Sequence, residues 1–174
     1  MLVLILLAVL LQPTPPSEAH LSESWPKPVL AGLPTPPHQD FRSRVQNQNR
    51  PLGPNQLKKV LEEVGFKGEG LRIAWAVAMR ESRGHRNAHN GDHSTGDNSY
   101  GLFQINMKND LGYKRREKFQ IENEDLFDPF KNARIAYHMT DGGRDWSAWG
   151  MGPESYRGQD MTHTLTEWLE KFPD

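Results

Sequence analysis

The chain has 174 residues, 36% of them hydrophobic, with 21 basic and 22 acidic side chains and no cysteine. That length fits one ordinary domain plus an appendage, and a formal net charge of −1 argues against broad nucleic-acid binding, which needs a basic surface to neutralise phosphates. The lack of cysteine excludes disulfide scaffolds, Cys-ligated zinc, iron–sulfur clusters and thiol nucleophiles.

Met1 to Leu11 is an unbroken apolar run of 11 residues. A membrane-spanning helix needs about 20, so no stable span is expected; the run fits the apolar core of a secretory signal peptide. Ser17-Glu18-Ala19 supplies small residues before a cleavage point ahead of His20, although no Lys or Arg precedes the run. Residues 1–19 are therefore expected to be a signal peptide or an apolar N-terminal segment. Ten of the 13 prolines fall between Pro13 and Pro54, and Pro-Thr-Pro-Pro occurs twice. Proline removes backbone donors and fixes φ, which favours extended, solvated chain. Residues 20–54 are expected to be a largely disordered linker, and 55–174 the folded domain.

Leu57, Val60, Leu61 and Val64 keep helical spacing, with Asn55 placed to cap the start and Gly65 to stop the helix. A second helix is expected over Glu69–Ser82. Its stripe of Leu71, Ala74, Trp75 and Ala78 is joined by Ile73, Ala76, Val77 and Met79 around most of the circumference, the pattern of a central, buried helix. Asn87–Ser99 is rich in Gly, Asn, Asp and His and reads as loop. Tyr100–Met107 reads as strand or buried turn. Helical patterns return near Leu111–Phe119, Phe130–Met139 and Thr162–Phe172. The expected fold class is mainly α (α+β): a helical domain with a small β or loop region.

Glu81 stands out among the titratable residues. It continues the buried stripe at a helix C-terminus, just before the breaker Gly84. Partial desolvation and the negative end of the helix dipole both favour its protonated form there, and a carboxyl group that keeps its proton near neutral pH can serve as a general acid. The competing reading is a helix-terminal carboxylate paired with Arg80 or Arg83.

Glu81-Ser82 is followed by Gly96-Asp97-Asn98-Ser99-Tyr100-Gly101-Leu102-Phe103-Gln104-Ile105-Asn106, then by Leu126-Phe127-Asp128-Pro129, Asn132-Ala133, Ala136-Tyr137 and Gly143 to Trp146-Ser147-Ala148-Trp149. From Leu57 to Tyr156 this order resembles the lysozyme superfamily, particularly the soluble lytic transglycosylase (SLT) domains and phage cell-wall lysins. The N-terminal 54 residues have no counterpart in that resemblance.

The resemblance implies a lysozyme-like helical fold with its β or loop region beside an active-site cleft. It also implies a muramidase that cuts the β-1,4 bond between N-acetylmuramic acid and N-acetylglucosamine, as lytic transglycosylase or lysozyme. Glu81 would protonate the glycosidic oxygen. Gln104 and Asn106 offer amide groups to the sugars, with backbone turn-locking as the other role for Asn106. Ser82 and Ser99 are candidate partners of the sugars or of Glu81. Tyr100, Tyr137, Trp149 and Tyr156 offer flat faces for stacking, of which one or two are expected to touch substrate; Trp75 and Trp168 are assigned to packing.

A hydrolase needs a second group to stabilise the oxocarbenium-like centre or direct water. Chicken-type lysozymes carry an Asp where this chain has Ser99; Gly96-Asp97 is similar to the goose-type arrangement. Asp97 is the candidate second acid and Asp92 the fallback, against the reading of Asp97 as an Asx-turn residue. Lytic transglycosylases dispense with this group, and many carry Ala-Tyr-Asn; here the residues are Ala136-Tyr137-His138.

No cofactor is expected, and no metal: His85, His89 and His93 recur every four residues, but Gly91 breaks any helix that would align them. The cluster Lys114-Arg115-Arg116 with Lys118 reads as a basic helix face, either solvated or meeting an anionic wall polymer. The expected partner is the peptidoglycan glycan strand, with no nucleic acid; the chain is expected to be a monomer. Export to periplasm, envelope or medium is expected, or a place in a virion if the chain is phage-derived. The reading from a different class is a non-catalytic wall-binding or structural protein that keeps a lysozyme-like fold.

Overall fold

The computed structural model describes residues 37–174 except 93, 95, 153, 154, 156 and 157. The signal-peptide segment, the linker up to residue 36, His93 and Tyr156 lie outside the described residues. In chain order the elements are α1 (Pro37–Asn47), α2 (Pro54–Val64), α3 (Gly68–Ser82), β1 (His89–Asn90), β2 (Ser99–Tyr100), β3 (Ile105–Asn106), α4 (Asn109–Phe119), α5 (Pro129–Met139) and α6 (Thr166–Leu169). Short 3₁₀ segments occupy Asn123–Phe127, Ser147–Trp149 and Thr162–Leu165. The fold is mainly α with one small sheet, as the sequence pattern implies.

Pro54 opens α2 at its first position, where a fixed φ suits the helix and a missing N–H costs nothing. The cap is consequently Gly53, whose N–H donates to Gln56 Oε1 at 3.1 Å, and Asn55 sits one step inside instead of capping. Gly65, at φ 121°, ends the helix, and its N–H returns to the Leu61 and Glu62 carbonyls. α3 is central: Leu71, Ala74, Trp75, Ala76, Val77 and Ala78 are all buried, with α2 and α6 packed against it. Trp75 and Trp168 both belong to the packing; Trp75 is buried, its indole N–H donates to the Pro54 carbonyl, and Trp168 lies partly buried against the core.

α1 corrects the expectation of a disordered linker for the stretch that contains it. Phe41 and Val45, one helical turn apart, are buried, and the Phe41 ring meets Phe130 of α5 edge-on at 6.3 Å. Leu52 is buried too, and its N–H donates to the Gly84 carbonyl at 2.9 Å. A Cβ on Gly84 would stand 2.7 Å from the Leu52 carbonyl oxygen, so the residue that lets the chain leave α3 also has to be small. Prolines 51 and 54 start and stop segments here without keeping the segment out of the core.

The three strands form an antiparallel sheet in the order β1-β2-β3, with His89 opposite Tyr100, Asn90 opposite Ser99, Ser99 opposite Asn106 and Tyr100 opposite Ile105. Tyr100–Met107 is thus both of the expected alternatives, two short strands around a buried turn. α5 is capped by Asp128, whose Oδ1 accepts the N–H groups of Phe130 and Lys131. From α5, Asn132 reaches the β2–β3 turn. Among the described residues, no helix is long and apolar enough to cross a membrane.

Candidate active site

Glu81 occupies the last turn of α3, and Arg83, in the left-handed region at φ 52°, closes that helix with an N–H bond to the Met79 carbonyl. The carboxylate pairs with Arg80, the partner named in the competing sequence reading: Glu81 Oε1 accepts from Arg80 Nε at 3.0 Å and Nη2 at 2.7 Å. This pair is not a solvated one, since the two side chains retain only 20% and 26% of their exposure. Arg80 also donates from Nη1 to Thr164 Oγ1 at 2.9 Å and from Nη2 to the Trp149 carbonyl at 2.8 Å. The guanidinium therefore ties the helix end to two 3₁₀ segments far along the chain. Among the described residues, Glu81 Oε2 accepts no hydrogen bond.

Two cavities, of about 690 Å³ and about 410 Å³, share Arg80, Glu81 and Gln104 in their walls, which puts Glu81 at their junction. A third, of about 700 Å³, shares Asn106 and Leu111 with the larger of these. The three hollows, which adjoin through these shared wall residues, together constitute the cleft.

Asp97 lines the same 690 Å³ cavity as Glu81. Its carboxylate is held on both oxygens: Oδ2 accepts from Asn90 Nδ2 at 2.8 Å and Oδ1 from the Ser99 hydroxyl. Asp92, the fallback, accepts the N–H and hydroxyl of Ser94 within the loop and lines none of these cavities. Ser99 also lines the main cavity. Ser82 faces the smaller one, but its hydroxyl donates to the Ala78 carbonyl of its own helix at 3.0 Å. Neither serine bonds Glu81.

Gln104 lines both shared cavities from a left-handed backbone, φ 47°, a conformation that costs a non-glycine residue free energy and needs outside support. The support is local: its Nε2 donates to the Ala88 and Gly101 carbonyls. More comes from fully buried Asn132, whose Oδ1 accepts the Phe103 N–H and whose Nδ2 donates to the Tyr100 and Leu126 carbonyls. A Cβ on Gly101 would lie 2.2 Å from the Leu126 oxygen, so glycine is required where this turn meets α5. Asn106 lines the cavity while its Oδ1 accepts the Lys108 N–H, the turn-locking role weighed for it. Among the described residues, Gln104 Oε1 and Asn106 Nδ2 engage no partner.

Of the aromatic candidates, Trp149 lines the cavity, fixed by an indole bond to the Phe103 carbonyl at 2.8 Å. Tyr100 is buried away from it, stacked on His89 with ring centres 4.4 Å apart. Tyr137 is also absent from the cleft walls and packs edge-on against Phe66 at 5.0 Å. Sequence reasoning did not single out Asn90, Leu111, Met139, Met161 and Thr164 as cleft residues, and it named Arg80 only as a partner of Glu81 and Arg115 only within a basic helix face. Leu111 and Arg115 carry a signal in their one-turn spacing on α4, and Arg80 in its place next to Glu81; the others arrive through tertiary packing.

A family model described as a lysozyme-like domain matches residues 58–151, more than half of the chain. No curated protein and no solved structure matches the chain.

Proposed function

The chain belongs to the lysozyme-like domain family, of SLT type, and on that premise we propose that it is a muramidase. It cleaves the β-1,4 bond between N-acetylmuramic acid and N-acetylglucosamine in peptidoglycan, with Glu81 as general acid and base. The observation that carries this reading is the position of Glu81 at the junction of two cleft hollows, with Oε1 committed to Arg80. Oε2, which accepts no hydrogen bond among the described residues, is the oxygen we assign to proton transfer. As the proton passes to the glycosidic oxygen, the C1–O bond breaks and positive charge develops at the sugar. Arg80 then stabilises the carboxylate that remains, which lowers the energy of the step it has just completed.

Asp97 supports water as the nucleophile. Its doubly held carboxylate lines the cavity of Glu81, suited to stabilising the oxocarbenium-like centre or orienting water. Tyr137, which stands where many lytic transglycosylases carry the tyrosine of Ala-Tyr-Asn, packs on Phe66 outside the cleft and lends the transglycosylase route no support. Gln104 Oε1, Asn106 Nδ2 and the face of Trp149 are assigned to sugar contacts. A wall substrate requires export, and the apolar run Met1–Leu11 is the segment we assign to it.

The test is turbidity loss of purified cell walls. The native chain clears them, and Glu81→Gln clears them slower by about 10²–10⁴-fold, the usual contribution of a general acid. Equal clearing by both variants overturns the assignment of Glu81; clearing by neither favours the wall-binding reading.

A further inference from the structure

The basic cluster of α4 does not act as one face. Arg116 donates to Asn123 Oδ1 at 3.0 Å, and Lys118 lies 5.3 Å from the Phe119 ring centre. Arg115 alone enters the cleft. It shares one face of α4 with Leu111, and both line the 690 Å³ cavity of Glu81 and Asp97. One guanidinium N–H group donates to the Asn106 carbonyl, which fixes the side chain against β3. Among the described residues Arg115 forms no ion pair.

The other charges of the cavity are accounted for differently. Arg80 is engaged by Glu81, Thr164 and the Trp149 carbonyl, and Asp97 is held by two neutral donors. Arg115 is thus a cation beside the cleft with most of its donors unused. Burial pulls its pKa below the ordinary arginine value, and no acidic neighbour offsets that; it remains charged at neutral pH. Partial desolvation of an unpaired guanidinium costs free energy, and a ligand carboxylate recovers it through two parallel charge-assisted hydrogen bonds.

We propose that Arg115 is a specificity residue of this cleft: it binds a carboxylate on the muramyl unit, of the lactyl group or of the peptide attached to it, and so separates wall glycan from neutral polymers of N-acetylglucosamine. The inference rests on the muramidase reading for the identity of the sugar. Lys114 and Lys118, on the same helix, lie outside the cavity walls and have no part in it.

The test is binding to the full chain of three disaccharide probes, measured by calorimetry or NMR titration. Diacetylchitobiose is neutral; N-acetylglucosaminyl-N-acetylmuramic acid carries a free lactyl carboxylate; its L-Ala-D-Glu derivative carries the carboxylates on the peptide instead. None contains the bond cut, so Glu81 stays in place; removing it would release Arg80 to compete for the same anion. The native chain binds one anionic probe about tenfold tighter than diacetylchitobiose or better, a gain that falls as salt rises. The favoured probe identifies the carboxylate. Arg115→Gln brings that probe to within about twofold of diacetylchitobiose, whose own affinity holds, and Arg115→Lys retains part of the gain because it keeps charge without the fork. Equal affinity of the native chain for all three probes overturns the proposal, with no variant needed. So does an Arg115→Gln change that weakens the neutral and anionic probes alike. Wall clearing by native chain and Glu81→Gln reads the muramidase assignment separately: a chain that discriminates among probes but never clears walls keeps Arg115 and loses that assignment.

Discussion

Asn132 uses its side-chain amide to join the turn that carries Gln104 to the 3₁₀ segment before α5: it accepts one bond from Phe103 and donates one to each of the Tyr100 and Leu126 carbonyls. With the residue fully buried, no water can replace these partners. Asn132→Leu removes the partner of the buried Phe103 N–H together with one bond to each of two carbonyls, and is expected to cost about 3 kcal/mol or more in urea unfolding. A cost under about 1 kcal/mol contradicts this role. The sequence carried a trace of it, since Asn132-Ala133 is one of the segments behind the lysozyme resemblance. Glu81 was legible more directly, as a carboxylate continuing an apolar stripe, and its pairing with Arg80 was one of two readings the sequence left open. The bonds from Arg80 to Thr164 and to the Trp149 carbonyl were not legible, because they join residues whose proximity only the folded chain creates.

At the scale of elements, helices with a continuous apolar stripe were readable and α1 was not. Its helix PHQDFRSRVQN has only Phe41 and Val45 to bury, and it lies inside a proline-rich stretch whose composition argues for solvated chain. Two anchors suffice because Phe130 of α5 packs against Phe41; Arg42 adds a cation over the Phe130 ring at 4.4 Å and an ion pair to Glu63 at 3.0 Å. Phe41→Ala is expected to lower stability by about 3 kcal/mol, read by urea unfolding. An unchanged midpoint means that α1 rests on the domain without supporting it. The two-residue strands were unreadable as strands for a different reason: a period of two needs more residues than they have, so only the turn residues around them gave a signal.

For the whole molecule, the missing cysteines leave packing and side-chain hydrogen bonds to hold the domain, and several of those bonds end on surface carboxylates. Asp125 accepts from Lys131 and from the Glu122 N–H, Asp145 from the Ser147 N–H, Asp160 from Thr162 and the Gly152 N–H, and Glu167 from Lys171. Each of these bonds favours the ionised form and holds the group below its ordinary value of 3.8 for Asp or 4.5 for Glu. A carboxylate depressed in the folded state contributes stability that is fully present above its unfolded pKa and is lost as pH falls through the folded one. Thermal midpoints should therefore stay level from neutral pH to about pH 5 and fall below about pH 4, each exposed pair adding little by itself. A fall already complete between pH 7 and 5 would instead assign acid sensitivity to the histidines.

The central claim is that Glu81 drives cleavage of the muramyl glycosidic bond. Mass spectrometry of the fragments released from purified peptidoglycan, with native chain and with Glu81→Gln, tests it most directly. The native chain should release muropeptides ending in N-acetylmuramic acid with a reducing end, heavier by one water than the anhydro form, and Glu81→Gln should release almost none. Fragments cut only in the peptide, or the same muropeptides from both variants, would contradict it.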